Sequence, residues 1–487
     1  MKNLISIILF LFLLPSCNEW LDVQPEASVS DEDLFNTEEG FYEALNGVYT
    51  RCAQSDLYGG EFTVGLPDVM AQNYTNSVYD YTGYTKTSIF DYTDPTFKSK
   101  RDGIWKAAYH AITNCNLILE NADVKKDVLS DGMYELIKGE ALALRAYLHF
   151  DLLRFFAWSY QQGAAQKAIP YVDAYTNKVT PLSTVEEVIT RVLADLNEAK
   201  TLMADTDPIL SASYVVGYTD DEEATEEENA NLFLQNRRHR MNYYAVCAEL
   251  ARVNLYKGDH TQALANALEV INSEKFPWTI PSDFLESDVT LKDRIMYNEL
   301  IFGWYAEAQT TALYNRYSSA ITGLYISYDA GRSLYEVGGV GAEDYRFKGW
   351  FTQVSNSDGP RYQIQKYMRD DDVNRHDLMA PAIRLSEMYY IAAESVYGTN
   401  PAKGWEYFNT ARFNRGIGTG LDESSGAVFI TEILKEYRKE MYAEGQMFYA
   451  YKRLNQNMTS QSNVVYPAGP AIYVIPLPEG EIEFGNR

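Results

Sequence analysis

Apolar side chains recur along this chain at steps of three and four residues, and the helices so marked come in pairs joined by tight turns. No other feature limits the possible folds as much. Ile137, Ala141, Leu144, Leu148, Leu152 and Phe155 line one face of a long helix, and Trp105, Ala108, Ile112, Cys115 and Leu119 do the same one segment earlier. Thr184-Val-Glu-Glu187 has the form of a capping box, with Val188, Val192, Leu196 and Ala199 following at helical spacing. The stretch from Leu250 through Gly258-Asp259 to Ala263-Leu264 and Ala267-Leu268 reads as a tetratricopeptide-like helix–turn–helix, in which small residues let two helices approach closely. Residues 387–412 repeat the pattern with Ala392-Ala-Glu394, a turn from Gly398 to Pro401, then Trp405, Phe408 and Ala411. Such units bury a core only by stacking, so several are expected; the pairs fall within 100–158, 184–272 and 383–455. Strand signals are thin, at Glu299–Phe302 and Ile472–Ile475. The expected fold is all-α: a tetratricopeptide-like helical repeat scaffold with long loops and a few short strands.

Two segments escape the helical pattern. Residues 56–99 carry Tyr58, Tyr74, Tyr79, Tyr81, Tyr84 and Tyr92 among turn-forming residues, and 276–370 carry many more rings, including Trp278, Trp304, Tyr305, Tyr314, Tyr317, Tyr325 and Tyr328. Long stretches without regular structure are functional or disordered, and these are too aromatic for disorder. With 39 Tyr, 7 Trp and 21 Phe, the chain holds more amphipathic rings than a core of satisfied hydroxyls readily takes. Rings that stack on the apolar C–H face of a sugar, with Asp, Asn or Arg bonding its hydroxyls, form a shallow site suited to glycans and equally to peptides. Half or more of the rings are expected to fill gaps between helices. Asn73, Tyr74, Tyr79, Tyr81, Tyr84, Trp304, Tyr314 and Tyr325 are the candidate ligand contacts, because polar and turn-forming neighbours surround many of them.

Charge and motifs exclude much. A formal net charge of −26 argues against nucleic acid and against electrostatic docking on anionic lipid. The five His include no HExxH and no close pair, and the chain has no GxSxG, Walker or GxGxxG motif, so neither a metal nor a cofactor is expected. Seven acids among residues 220–228 lack the alternating spacing of a calcium loop and read as a solvated face, with Arg237-Arg-His-Arg240 following as a counter-charge. Cys52, Cys115 and Cys247 read as buried thiols and not as a disulfide framework. The N-terminus has Lys2, an apolar run from Leu4 to Leu14 too short to span a bilayer, and Pro15-Ser16-Cys17. Residues 1–16 are expected to be a signal peptide, with Cys17 as the lipidated first residue of the mature chain, 17–35 as a tether and 36–487 as the folded helical domain.

These residues also carry a resemblance. Cys17-Asn-Glu-Trp-Leu-Asp22, Asp33-Leu-Phe35, Ala44-Leu-Asn-Gly-Val-Tyr49, Gly139-Glu-Ala-Leu-Ala-Leu-Arg-Ala-Tyr147, Arg240-Met-Asn-Tyr-Tyr244, Asp344-Tyr-Arg346, Ile383-Arg-Leu-Ser-Glu387, Glu436-Tyr-Arg-Lys-Glu440 and Ile475-Pro-Leu-Pro478 follow one another as in SusD/RagB-type nutrient-binding lipoproteins. The resemblance implies a tetratricopeptide-like scaffold anchored by lipid on the outer face of the outer membrane. There it would cap a SusC-like TonB-dependent transporter and hand it oligosaccharides or, in some members, peptides, without catalysis. A lipid-anchored glycoside hydrolase is the more distant alternative. The shared motifs are scaffold: Leu250, Ala251, Ala392 and Ala393 would pack repeats, and Arg384, Arg438 and Glu440 would pair between helices. Ligand residues in this family sit in variable loops, so none is carried over.

Overall fold

A computed structural model describes residues 31–75, 80, 82–306, 310–319, 322–356, 359–368, 375–376 and 378–485. The expected signal peptide, Cys17, most of the tether, Tyr79 and Tyr81 lie outside the described residues. The helices that matter below are α1 (Glu38–Cys52), α2 (Pro95–Val124), α3 (Met133–Phe156), α4 (Val185–Met203), α5 (Tyr243–Lys257), α6 (His260–Asn272), α7 (Thr310–Ser318), α8 (Leu385–Tyr397), α9 (Pro401–Phe413), α10 (Phe429–Glu440) and α11 (Met447–Arg453). The strands are β1 (Leu300–Tyr305), β2 (Tyr325–Ser327), β3 (Phe351–Asn356), β4 (Gly359–Ile364) and β5 (Met379–Arg384). Among the described residues no helix is long and apolar enough to cross a membrane.

The periodic faces are buried as their spacing predicts. Ile137, Ala141, Leu144, Leu148, Leu152 and Phe155 are fully buried on α3. This helix is nevertheless buried nearly all round, because α2 and α4 flank it. Its polar residues are therefore paired inside: the Arg145 guanidinium donates to both carboxylate oxygens of Asp195 on α4, at 2.7 and 2.8 Å, and Tyr58 donates to Asp151 at 2.7 Å. The capping box is formed, with the Glu187 amide donating to Thr184 Oγ1 at 3.2 Å and the Thr184 amide to Glu187 Oε2 at 2.7 Å. Between α5 and α6, Gly258 takes φ +89°, a left-handed turn that any Cβ would strain, and Asp259 caps α6 by accepting from the Gln262 amide. Asn400 and Pro401 open α9 in the equivalent turn. Ala263, Ala267, Ala392 and Ala411 are fully buried, and α6 packs on α8, so the two pairs stack.

The C-terminal repeats close around a buried ionic cluster. Arg346, Arg384, Arg415, Arg412, Lys366 and Lys439 face Asp344, Glu299, Glu436, Glu440, Glu444 and Glu336, and all but Glu336 are nearly or fully buried. Arg384 and Glu440 pair as expected, at 3.9 Å, while the closer partner of Arg384 is Glu444. Arg438 does not join them; it donates to the Gln72 carbonyl at 2.7 Å and Asn73 Oδ1 at 3.1 Å. In the other half, Arg238 pairs with Glu226 of the acidic run, while Arg237 turns inward to Asp207 and Glu140.

Two sequence readings are corrected. Residues 276–370 are not one long loop: β1 pairs with β5, and β2, β4 and β3 form an antiparallel sheet in the order β2-β4-β3, with short helices between them. Several of these pieces have six residues or fewer, too short to show a period. Ile472–Ile475 is not a strand; Pro470–Tyr473 is a helical turn, started by Pro470 in its first turn after Gly469 and stopped before Pro476.

Candidate ligand surface

The two aromatic segments, far apart in sequence, are joined in space. The Thr75 amide donates to the Tyr325 carbonyl at 2.9 Å, and the Ser327 amide donates to Thr75 Oγ1 at 2.8 Å, so Thr75 is bonded to both ends of β2. Behind this seam, Tyr74 and Tyr317 share a 2.8 Å hydroxyl contact, and Tyr84 donates to Glu61 at 2.9 Å while accepting from Arg316 of α7 at 2.5 Å. Burial alone would push the Glu61 carboxyl up, but the guanidinium of Arg316 and the Lys100 ammonium outweigh it and hold the carboxyl below the usual range. Asp68, enclosed and accepting from the amides of Ala443 and Gly445, is pushed up to about 7 by desolvation. These contacts tie the seam into the scaffold.

The candidate contacts divide on this geometry. Asn73 is fully buried and braces the seam, donating to Asp68 Oδ1 at 2.9 Å and accepting from Arg438. Tyr74 and Tyr84 are 6% and 4% exposed, and their hydroxyls are spent on the internal bonds just described. Trp304 is 1% exposed and stacks flat on Tyr58, at 4.4 Å and 8° between planes. β1 is buried through Trp304, and its last residue, Tyr305, reaches the surface. These four residues hold the surface and do not form it. Tyr314 on α7 and Tyr325 on β2 are the half-exposed members, and Tyr325 is itself part of the seam.

Sequence reasoning passed over the neighbours that the β2-β4 ladder brings to Tyr325 and to its other face. The Arg361 guanidinium of β4 lies 3.8 Å from the centre of the Tyr325 ring. Tyr328, half-exposed three residues after Tyr325, stacks on Tyr362 at 5.5 Å and 15°, with Arg332 alongside at 5.5 Å. Gln363, opposite Tyr325 in the ladder, donates to the carbonyls of Tyr317 and Ser318 and so fixes the end of α7 to the sheet. The spacing Tyr325-x-x-Tyr328 was the available signal for Tyr328; the cross-strand partners could be found only from register. The ladder thus puts Tyr325 with Arg361 and Gln363 on one face of the sheet, and Tyr362 with Tyr328 on the other. Among the described residues, no group of three His, Cys, Asp or Glu side chains is placed to hold a metal ion.

Comparison with known proteins agrees with this architecture. A family model described as "Starch-binding associating with outer membrane" matches residues 19–214, and the SusD family model matches residues 216–474. A SusD-like protein of Formosa agariphila is 30% identical over 202 residues, which are 40% of this chain and 36% of that protein, so the match spans about a third of the relative's length. A SusD superfamily protein of Bacteroides thetaiotaomicron superposes with a TM-score of 0.73 at 20% identity, covering 92% of this chain and 98% of the other. A SusD-like carbohydrate binding protein of Bacteroides vulgatus gives 0.71 at 18% identity, covering 92% and 96%. At such identities the structures establish the shared fold. With more than half of its length matched by one family model, this chain belongs to the SusD family.

Proposed function

We propose that this protein is a non-catalytic glycan-binding lipoprotein that captures oligosaccharide at the cell surface and passes it to a SusC-like TonB-dependent transporter. In this reading residues 1–16 are removed, Cys17 carries the lipid that tethers the folded domain 36–487 to the outer membrane, and the helical repeats pack on the transporter. The observation that supports it is the Tyr325 ring, half-exposed on β2 where Thr75 of the first aromatic segment bonds that strand, with the Arg361 guanidinium 3.8 Å from the ring centre. A ring presented to the apolar face of a sugar, with polar groups at its rim, is what a shallow saccharide site needs. The starch-binding description of the model over residues 19–214 and the carbohydrate binding named for the Bacteroides vulgatus neighbour support the same ligand class. The enclosed acids near the seam, Glu61 and Asp68, are engaged by Arg316 and Lys100 and by backbone amides respectively, which supports binding without hydrolysis. Modest affinity is expected, since a shallow site buries little ligand surface and cargo must be released.

Protein beginning at Asn18 is run through gels containing plant, host and microbial polysaccharides, with reducing ends assayed in parallel. Retardation without new reducing ends, weakened in Tyr325→Ala, supports capture at this surface. New reducing ends overturn the non-catalytic reading. Retardation by no glycan, with binding of a peptide mixture instead, moves the ligand to peptides.

A further inference from the structure

A second concave site lies away from the seam, between α1 and the turn at residues 232–240. It is a cavity of about 410 Å³ whose wall includes Tyr305, His239, Arg240, Asn46, Thr50 and Gln235. That volume falls in the range of about 300–1,000 Å³ typical of small-ligand pockets. Tyr305 ends β1 with 41% of its surface exposed, and its ring lies nearly parallel to the His239 imidazole, 5.1 Å away and 15° between planes. The platform is backed from below. Arg240 lies 4.1 Å over the Phe233 ring, which stacks on Tyr42, and it reaches Asn46 Oδ1 and Glu140 Oε2. Tyr49 donates to the same Glu140 at 2.7 Å and accepts from the Met241 amide at 2.9 Å. Asn236 takes φ +47°, the left-handed turn that brings His239 and Arg240 back to α1.

The chemistry of the wall selects a class of ligand. Arg240, the lining cation, is matched by Glu140, so the groove offers an incoming anion no uncompensated charge. Burial, with Arg238 and Arg240 alongside, pushes His239 down to about 3 and keeps the platform neutral at physiological pH. Beside the ring stand a hydroxyl and amides, groups that exchange hydrogen bonds with hydroxyls at no cost in charge. A neutral pyranose or furanose has the matching form: an apolar face for Tyr305 and a polar rim for Thr50, Asn46 and Gln235.

We propose that this groove is a second saccharide subsite, binding one neutral sugar ring on Tyr305 independently of the seam surface. The two sites are separated by titrating maltotriose, xylotriose, cellotriose and mannotriose, with trigalacturonate as the charged control, into wild-type protein, Tyr305→Ala, Tyr305→Phe, Tyr325→Ala and the double variant Tyr305→Ala/Tyr325→Ala. Calorimetry reads affinity, and thermal melting checks that each variant is folded. Tyr325→Ala is expected to keep binding a neutral trisaccharide, and adding Tyr305→Ala to weaken it about tenfold or more, the scale of one lost aromatic stack. Tyr305→Phe keeps the ring and is expected to bind like wild type, and trigalacturonate is expected to bind no better than its neutral counterparts. The groove is overturned if Tyr325→Ala binds none of the neutral probes, or if the double variant binds as tightly as Tyr325→Ala. It is overturned as a neutral-sugar site if trigalacturonate alone depends on Tyr305. Binding that survives Tyr325→Ala undiminished but disappears with Tyr305→Ala supports the groove and refutes the seam. No binding to wild type overturns both.

Discussion

Glu440, at the end of α10, is the residue on which the C-terminal repeats turn. It is fully buried and accepts from Arg346 at 3.0 Å, from Arg415 at 2.6 and 2.9 Å, and from Ser386 at 2.8 Å, with Arg384 at 3.9 Å. Glu440→Gln keeps the volume but removes one negative charge from a cluster in which six cations face six carboxylates. The amide oxygen can still accept, but its NH2 group points donors at guanidinium groups, so charge-assisted bonds worth about 1.5–3 kcal/mol each are lost. Arg346 and Arg415 retain Asp344, Glu436 and Glu299, which softens the loss. Breaking a buried ion pair on one side costs about 3–5 kcal/mol, and that is the expected destabilisation. Equilibrium urea unfolding of the chain from Asn18 measures it, with Glu406→Gln as the reference change. Glu406 meets Lys403 at the surface, where both side chains are more than a third exposed, and its loss is expected to cost less than about 1 kcal/mol. A Glu440→Gln cost below about 1 kcal/mol, equal to that of Glu406→Gln, would refute the view that this cluster fixes the repeat packing.

Further measurements test other parts of the structure. Burial tends to raise the Glu436 carboxyl, but Arg346 and Lys439 outweigh it and hold it at about 2. Its folded value is lowered, so its contribution is complete above the usual 4.5 and is lost as pH falls from there toward 2; this is worth about 3 kcal/mol, and Glu436→Gln should flatten the acid limb of a stability–pH curve. His149 is pushed down to about 3 by burial, with Nδ1 bonded to the Arg145 carbonyl at 2.8 Å and Nε2 accepting from the Val172 amide at 3.0 Å. Its nitrogen NMR signals are expected to show the neutral Nδ1–H form at pH 5, and stability falls as pH drops from 6.5 toward 3; an imidazolium signal at pH 5 in folded protein would contradict this. Cys52, Cys115 and Cys247 are buried and unpaired, and burial pushes Cys115 and Cys247 up to about 12. Native protein from Asn18 should leave a thiol reagent unreacted, and three thiols should appear in denaturant.

The helical scaffold was legible because its signals are local. A period of three to four in α3, a capping box at Thr184 and a Gly-Asp turn at 258–259 each lie within a few residues of sequence, and each forms. The β2-β4-β3 sheet was not read from sequence, because its strands are three to six residues long; β3 and β4 form a local hairpin, but β4 meets β2 only across 38 residues of chain, as between Tyr325 and Gln363. The expectation that Arg438 would pair with an acid failed for a related reason. A cation's partner depends on the turn of helix it occupies, and Arg438 faces the carbonyl of Gln72 while Lys439 and Glu440 face the ionic cluster.

The candidate site shows where a composition argument stops. An excess of tyrosine marks a chain with working rings but does not say which rings work, since a buried tyrosine with a partner and an exposed tyrosine on a surface have the same neighbours in sequence. Tyr74 and Tyr84 sit among Asn, Asp, Thr and Gly, as a surface ring would, yet Tyr317, Glu61 and Arg316 arrive from elsewhere in the chain to satisfy their hydroxyls. Trp304 and Tyr305 make the case most simply. They are adjacent on one strand with the same polar segment following, yet the first lies in the core at 1% exposure and the second, the last residue of the strand, at the groove wall at 41%. Choosing between them from sequence requires the face of β1 that packs on Tyr58, which is fixed only when β1 meets β5 and residues 56–65 fold beneath it. A ring's role here is therefore a property of tertiary register. Substituting Tyr305 tests the groove, whereas substituting Trp304 tests only the core, at an expected cost of about 3–5 kcal/mol for Trp304→Ala.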